Sequence, residues 1–184
     1  SAFGKAIANG FSLSALVGRR ELMEVGGFHH DRERVYLLSS THGGETHTLA
    51  AAIATIQTYQ RQDVVGHLHR QGERLRQGIN QQIASLRLQN HFEVIGRACS
   101  LIYATYDQDG QRSQAFRTLF LQEMIKRGFL VPSLVVSLAH TDAEIDRTIE
   151  SVGEALHVYK QALEGGVEAY LVGRPVKPVF RRCA

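Results

Sequence analysis

The sequence predicts an α/β protein with a small α+β region at its C-terminal end. Short apolar runs flanked by polar residues or glycine, such as residues 92–97 and 100–106, are typical of strands. Longer segments repeat apolar residues every three or four positions, which indicates helices with one buried face. Both patterns occur in residues 1–62 and again in residues 63–184, which makes two regions of strands and helices.

The N-terminal region is predicted to hold a strand at residues 13–18 and a short helix at 19–24 that glycines stop. Residues 35–38 form a second strand candidate. A longer helix begins near Thr46, a possible N-cap. One face of this helix is expected to be buried, and it carries Leu49, Ala52, Ile53, Ile56 and Tyr59.

The C-terminal region is predicted to contain three amphipathic helices around a pair of strands. The first helix covers residues 64–86, the second is marked by Phe116, Leu119, Phe120 and Met124 and ends at Gly128, and the third follows a capping box at residues 141–144. Residues 129–131 and 134–138 are further strand candidates. Cys99 is expected to be a small buried hydrophobic residue in a strand. The tail from Leu171 is expected to be extended.

Composition places the chain among ordinary globular proteins. It has 184 residues, of which 43% are hydrophobic, and no apolar run long enough to cross a membrane. No signal peptide is visible, and two cysteines make no disulfide framework, which favours a cytoplasmic location. The formal net charge is +3, but the arginines alternate with acidic residues, so no nucleic-acid function is expected. Adjacent residues diverge on a helix or strand, so His29 and His30 are interpreted as loop residues rather than metal ligands.

Lys5 is the candidate reactive residue. The chain has four lysines, and this one stands in Phe-Gly-Lys-Ala-Ile-Ala-Asn-Gly-Phe, residues 3–11. Small neighbours allow another group to approach the backbone closely. A lysine amine can attack a carbonyl and form a Schiff base. From these residues alone, a plain loop lysine remains the alternative.

Three segments together resemble class III pyridoxal-phosphate-dependent aminotransferases, in particular the glutamate-1-semialdehyde aminomutase-like branch. Residues 3–11 resemble the cofactor-lysine segment, Ser-Thr-His-Gly-Gly-Glu-Thr at 40–46 resembles the phosphate-contacting threonine loop, and residues 132–146 resemble the C-terminal strand and helix start. They occur in the family's order and cover nearly the whole chain. The resemblance implies the C-terminal part of a fold-type I transferase. Residues 1–62 would end the large cofactor-binding domain, and residues 63–184 would form a connecting helix and a small domain.

The resemblance also implies site residues and partners. Lys5 would carry pyridoxal 5'-phosphate as a Schiff base and then act as general acid and base. Thr41 would bind the cofactor phosphate from the neighbouring subunit, so a homodimer is implied. A glycine-bearing turn before a helix suits an anion. The carboxylate that faces the pyridine nitrogen and the aromatic residue that stacks on the ring would lie upstream of Ser1. We therefore expect the isolated chain to bind the cofactor poorly and to be inactive.

Three functions stay open at this stage. No carboxylate lies between Glu123 and Asp142, where the compared mutases have a longer segment with a glutamate. This difference favours transamination of a small or carbohydrate-pathway keto or aldehyde substrate with an amino donor. The alternatives are a 2,1-aminomutase of the glutamate-1-semialdehyde type and a non-catalytic structural or assembly module.

Overall fold

A computed structural model of the protein describes residues 1–27, 29–34 and 44–177. The chain divides into two compact units, Ser1–Val64 and Val65–Ala184. The assignment of residues 1–62 and 63–184 to two domains of a longer enzyme stays a prediction.

The first unit is built from short elements and one long helix. Strand β1 pairs antiparallel with β2, with Ala2 opposite Leu16. The elements are β1 (Ala2–Phe3), a 3-10 turn (Lys5–Ile7), β2 (Ala15–Leu16), α1 (Arg20–Met23), a second 3-10 turn (Glu24–Gly26) and α2 (Thr46–Arg61). The predicted short helix is confirmed, whereas the strand predicted at 13–18 is only two residues long. The strand candidate at 35–38 lies outside the described residues.

Two expectations for α2 are wrong. Glu45, with extended backbone angles, is the N-cap, and Thr46 is already the first helical residue. The apolar face is not buried either: Ala52 is 6% exposed, but its neighbours are open to solvent. These exposed side chains are Leu49 at 45%, Ile53 at 56%, Ile56 at 46% and Tyr59 at 46%. Hydrophobic period identifies the apolar side of a helix, but burial depends on a second element lying against it.

The second unit contains most of the regular structure. Its elements are α3 (Val64–Leu86), β3 (Phe92–Arg97), β4 (Ser100–Thr105), α4 (Gln114–Lys126), α5 (Asp142–Gly165) and a 3-10 turn (Val167–Ala169). The predicted helices and the strand pair are therefore confirmed. No helix among the described residues is both long and apolar enough to cross a membrane.

Strands β3 and β4 form an antiparallel hairpin. Their register runs from Phe92 opposite Thr105 to Arg97 opposite Ser100. Cys99 lies in the tight turn between the strands and is half-buried, so its predicted place inside a buried strand is wrong. Only Ala98 and Cys99 connect the two strands, so Cys99 lies outside their hydrogen-bonded pairing.

Aromatic rings form the centre of the core. Phe92 stacks on Tyr103 with 5.5 Å between ring centroids and lies 4.8 Å from the ring of Phe120. Tyr159 of α5 contacts Phe116 of α4 at 4.7 Å. All five rings are at most 5% exposed. The apolar faces of α4 and α5 therefore meet the hairpin in one cluster, as their periodicity predicts.

The ends of α4 and α5 follow local sequence rules. Gly128 has φ +83°, and the N–H groups of Gly128 and Phe129 donate to Ile125 and Met124. This pattern is a Schellman motif, which glycine favours because it tolerates the left-handed region. At the start of α5, Thr141 and Glu144 form the predicted capping box. Both helices thus begin or end where the sequence predicts.

The segment after α4 is extended but forms no strand of its own. Leu134 makes one isolated bridge to Leu101 of β4. The carbonyl of Val131 accepts a hydrogen bond from Tyr103 at 2.9 Å, and that of Pro132 accepts one from Arg117 at 2.8 Å. The strand predictions for 129–131 and 134–138 are therefore wrong: Pro132 has no N–H to donate to a ladder, and side chains bond to the carbonyls of Val131 and Pro132.

The described part of the tail runs along α4. The N–H of Val172 donates to Gln122, and that of Val176 donates to Thr118, each at 2.8 Å. Residues 171–177 form neither a helix nor a strand.

Candidate functional site

Lys5 lies in a turn with an unusual backbone. Lys5 itself has φ +53°, Asn9 has φ +48° and Gly10 has φ +112°. A lysine in the left-handed region is uncommon, because its Cβ approaches the following carbonyl. Such a conformation persists only where the surroundings hold it, and it occurs often at functional positions. The sequence analysis left a loop lysine open here and did not predict this backbone conformation.

The amine of Lys5 is available for reaction. Lys5 is exposed, and no carboxylate pairs with it within the described ranges. By contrast, the ammonium of Lys126 is bonded to Glu123 at 2.6 Å. A lysine can form a Schiff base only if a carbonyl carbon can reach its nitrogen, so Lys5 fits the role of a cofactor lysine.

The turn lies against α2. Ala8 is 1% exposed, which makes it one of the few buried apolar residues of the first unit. The ring of Phe11 meets the ring of His47 edge-on, with 5.8 Å between centroids and 68° between planes. His47 is the second residue of α2. Sequence reasoning missed this contact, because nothing local links two residues so far apart in the chain.

A mostly apolar cleft of about 450 Å³ lies beside the turn. Gly4 and Ala6, the neighbours of Lys5, contribute to its wall, and Lys5 itself does not. The other wall belongs to α2 and contains Ile56 and Tyr59. The small residues that flank Lys5 thus leave space next to the backbone, as expected from the sequence.

The structure describes one of the two predicted site residues. Thr41 lies outside the described residues, so the distance between Thr41 and Lys5 is not defined. The helix that follows is present: the N–H groups of Thr48 and Leu49 bond to the carbonyl of Glu45. The N–H groups before Thr48 belong to the first turn of a helix, which has no intrahelical acceptor for them. The helix predicted after the threonine segment is therefore present, whereas residues 40–43 of that segment lie outside the described residues.

His29 and His30 lie outside helices and strands, in the loop that the sequence predicts. The Nδ1 atom of His30 accepts a hydrogen bond from the N–H of Arg32, and its Nε2 donates to the carbonyl of Glu24 at 2.7 Å. His140 accepts a hydrogen bond from the N–H of Ser137 just before α5. No group of three metal-binding side chains is found among the described residues.

Comparisons with known proteins show which family this chain resembles. The family model described as "Aminotransferase class-III" matches residues 1–156. A glutamate-1-semialdehyde 2,1-aminomutase of Thermomicrobium roseum is 31% identical over 163 residues, 83% of this chain and 37% of the relative. A 3-aminobutyryl-CoA aminotransferase of Cloacimonas acidaminovorans is 28% identical over 89% of this chain and 38% of its own length.

Solved structures show the same fold. The PLP internal aldimine form of the Sphingopyxis sp. MTA144 FumI protein superposes with a TM-score of 0.73 at 23% identity, covering 89% of this chain and 37% of that one. A transaminase with PLP bound superposes with a TM-score of 0.71 at 20% identity, covering 90% of this chain and 38% of that one. This chain thus spans well under half the length of the relatives it matches.

The chain belongs to the class-III aminotransferase family. The family and the fold class predicted from the sequence are therefore confirmed. The predicted cofactor, pyridoxal phosphate, is the group that both structural neighbours carry. The roles of Lys5 and Thr41 stay predictions.

Proposed function

We propose that this chain supplies the cofactor lysine of a pyridoxal-phosphate-dependent aminotransferase, and that Lys5 is this lysine. Family membership supports the reaction class. The observation that carries the assignment is the exposed amine of Lys5 on a left-handed turn, where no carboxylate among the described residues pairs with it. Pyridoxal phosphate, when bound, supplies an electron sink for bonds to the substrate's amino carbon.

In this proposal, the protein binds the cofactor and transfers a proton. Lys5 would hold pyridoxal phosphate through its amine, which can form a Schiff base with an aldehyde. When it is not bonded to the cofactor, the same amine would act as general base and acid and move a proton at the substrate carbon.

Thr41 is proposed as a phosphate ligand in a homodimer. A threonine hydroxyl can donate one hydrogen bond to a phosphate oxygen. The segment that contains it leads into α2, whose first N–H groups and helix dipole favour negative charge. In the proposed dimer, this threonine serves the site of the neighbouring subunit.

The proposed reaction transfers an amino group to a small keto or aldehyde substrate, with carbohydrate-pathway compounds as one class. The segment between Glu123 and Asp142 has no carboxylate, which favours transamination. The names of several relatives favour a 2,1-aminomutase instead. A mutase returns nitrogen to the same carbon skeleton, so turnover without a separate keto acceptor would identify it. A strict need for both amino donor and acceptor would identify an aminotransferase.

Borohydride trapping tests the Lys5 assignment. The complete protein is incubated with pyridoxal phosphate, reduced, digested and analysed by mass spectrometry. We expect the adduct on the peptide that contains Lys5, and its loss together with turnover in Lys5→Ala. Lys177→Ala is the matched control, because Lys177 is also exposed and lies in the tail. Turnover and a reducible adduct in Lys5→Ala would show that another lysine carries the cofactor.

A non-catalytic module is the remaining alternative. The discriminating measurement is visible absorbance: a lysine-bound cofactor gives a yellow protein, whereas a structural module stays colourless with added pyridoxal phosphate. A colourless complete protein with no trapped lysine would favour the module.

A further inference from the structure

The turn that carries Lys5 is weakly held by its own backbone. The N–H groups of Ile7 and Ala8 reach the carbonyls of Gly4 and Lys5 at 3.4 Å, which is long for such a bond. Left-handed residues at both ends of the turn add conformational strain. Contacts from outside the turn must therefore contribute to its position.

Two such contacts stand out. Ala8, in the middle of the turn, is buried at 1% exposure. Phe11, directly after Gly10, is 51% exposed, and its edge-on contact with His47 is the aromatic contact that links this segment to α2 among the described residues. An edge-to-face aromatic pair contributes beyond its buried area, because the positive ring edge meets the negative ring face.

We propose that His47 is a positioning residue for Lys5, acting through the ring of Phe11. This inference rests on the proposed role of Lys5 as the cofactor lysine. The imidazole belongs to the first turn of α2, a sixteen-residue helix, so the Phe11 ring contacts a regular, hydrogen-bonded element. No hydrogen bond joins His47 to Lys5 in the described part of the chain, so the effect passes through Phe11 and the backbone of residues 5–11.

The position of His47 also joins two parts of the proposed site. Glu45, the N-cap of α2, and Gly44 stand just before it, at the end of the predicted phosphate segment. A displacement of the first turn of α2 would therefore be transmitted to residues 4–11 through the Phe11–His47 contact.

The test uses two readouts besides activity, both on the complete protein. One is amide hydrogen exchange of the peptide spanning residues 4–11 without cofactor. The other is the rate at which Lys5 is trapped by pyridoxal phosphate and borohydride. We expect His47→Ala to speed the exchange and slow the trapping by about twofold to about tenfold, the range of one aromatic pair. His47→Phe keeps a ring and should restore both values.

Two further variants separate this role from a general loss of stability. Gln57→Ala changes another exposed position on α2 and should leave both readouts unchanged. Phe11→Leu removes the ring but keeps apolar bulk, and it should reproduce His47→Ala. The double variant should be no worse than either single one, because both remove the same contact.

The outcomes separate the two proposals. Wild-type exchange and trapping in His47→Ala, failure of His47→Phe to restore them, or additive effects in the double variant would each overturn the positioning role. Absence of any Lys5 adduct in the wild-type protein would overturn the cofactor role of Lys5 instead. In that case the exchange measurement would still report on the Phe11–His47 contact itself.

Discussion

The hydroxyl of Tyr159 donates to the carbonyl of His91 at 2.8 Å, across 68 residues of chain. The same hydroxyl lies 2.7 Å from the carbonyl of Tyr106 and accepts from the N–H of Tyr106 at 3.1 Å. Tyr159 is fully buried, and burial raises the pKa of its phenol, so it stays protonated as a donor. One side chain of α5 thus bonds to the backbone next to both strands, at the end of the β3–β4 hairpin opposite its turn.

Tyr159→Phe should therefore destabilise the second unit. The ring can remain in the core, but the carbonyls lose their buried donor, which costs about 1–3 kcal/mol. Urea unfolding followed by circular dichroism measures the loss. Tyr106→Phe is the control, because its hydroxyl bonds to Glu93 at the exposed surface. Equal effects of the two substitutions would contradict the importance of the Tyr159 hydroxyl.

Gly72 is predicted to be less replaceable than Gly78 in α3. A Cβ at this position would lie 1.7 Å from the carbonyl oxygen of Ala98, in the hairpin turn. Alanine favours a helix by about 1 kcal/mol, but this backbone clash forces α3 and the turn apart. Gly78→Ala is the matched comparison, because its Cβ would meet the movable side chain of Ile149. We expect Gly72→Ala to lower the thermal midpoint more, and the reverse order would contradict the packing described.

The buried carboxylate of Glu123 predicts a loss of stability in acid. Burial by itself raises its pKa, but hydrogen bonds from Lys126, Gln122 and Arg127 outweigh burial and hold the pKa below its ordinary value of 4.5. A depressed folded-state pKa means that the stabilisation is complete above the unfolded-state value and disappears as the pH falls through the folded-state value.

The free energy of unfolding, measured from about pH 7 down to about pH 3, should therefore decrease as the pH falls. Glu123→Gln cannot ionise, so its curve should be flatter in acid and lower near neutrality. Glu150→Gln, on the exposed face of α5, is the control. Parallel curves for wild type and Glu123→Gln would show that this carboxylate does not determine acid stability.

Thr41→Val should weaken cofactor binding without preventing reaction at Lys5. One hydrogen bond to a charged group contributes roughly 1.5–3 kcal/mol, so the dissociation constant for pyridoxal phosphate should rise about tenfold to a hundredfold. Titration of the complete protein measures this change. Borohydride should still trap the Lys5 adduct at saturating cofactor.

Mixed dimers test whether Thr41 acts across the subunit boundary. A Lys5→Ala subunit paired with a Thr41→Val subunit would carry both lesions in one site and leave the other intact. We expect such dimers to recover one normal site. If neither site recovers, Thr41 serves its own subunit and the proposed dimer geometry is wrong.

Local sequence determined much of the second unit. The capping box at Thr141 and Glu144 and the glycine motif at Gly128 satisfy backbone groups within one turn, so neighbours in sequence suffice to predict them. The strand pair 92–97 and 100–105 is nearly continuous in sequence and is likewise a local structure. Three motifs in a known order also determined the family.

Only the tertiary structure decided which apolar faces are buried and which long-range contacts form. The apolar face of α2 is exposed because no described element of its unit covers it, and residues around Pro132 form no strand because Tyr103 and Arg117 take their carbonyls. The Tyr159–His91 bond and the Phe11–His47 contact join distant parts of the chain. Hydrophobic period and motif spacing describe one element at a time, whereas burial and long-range bonds depend on which elements meet in space.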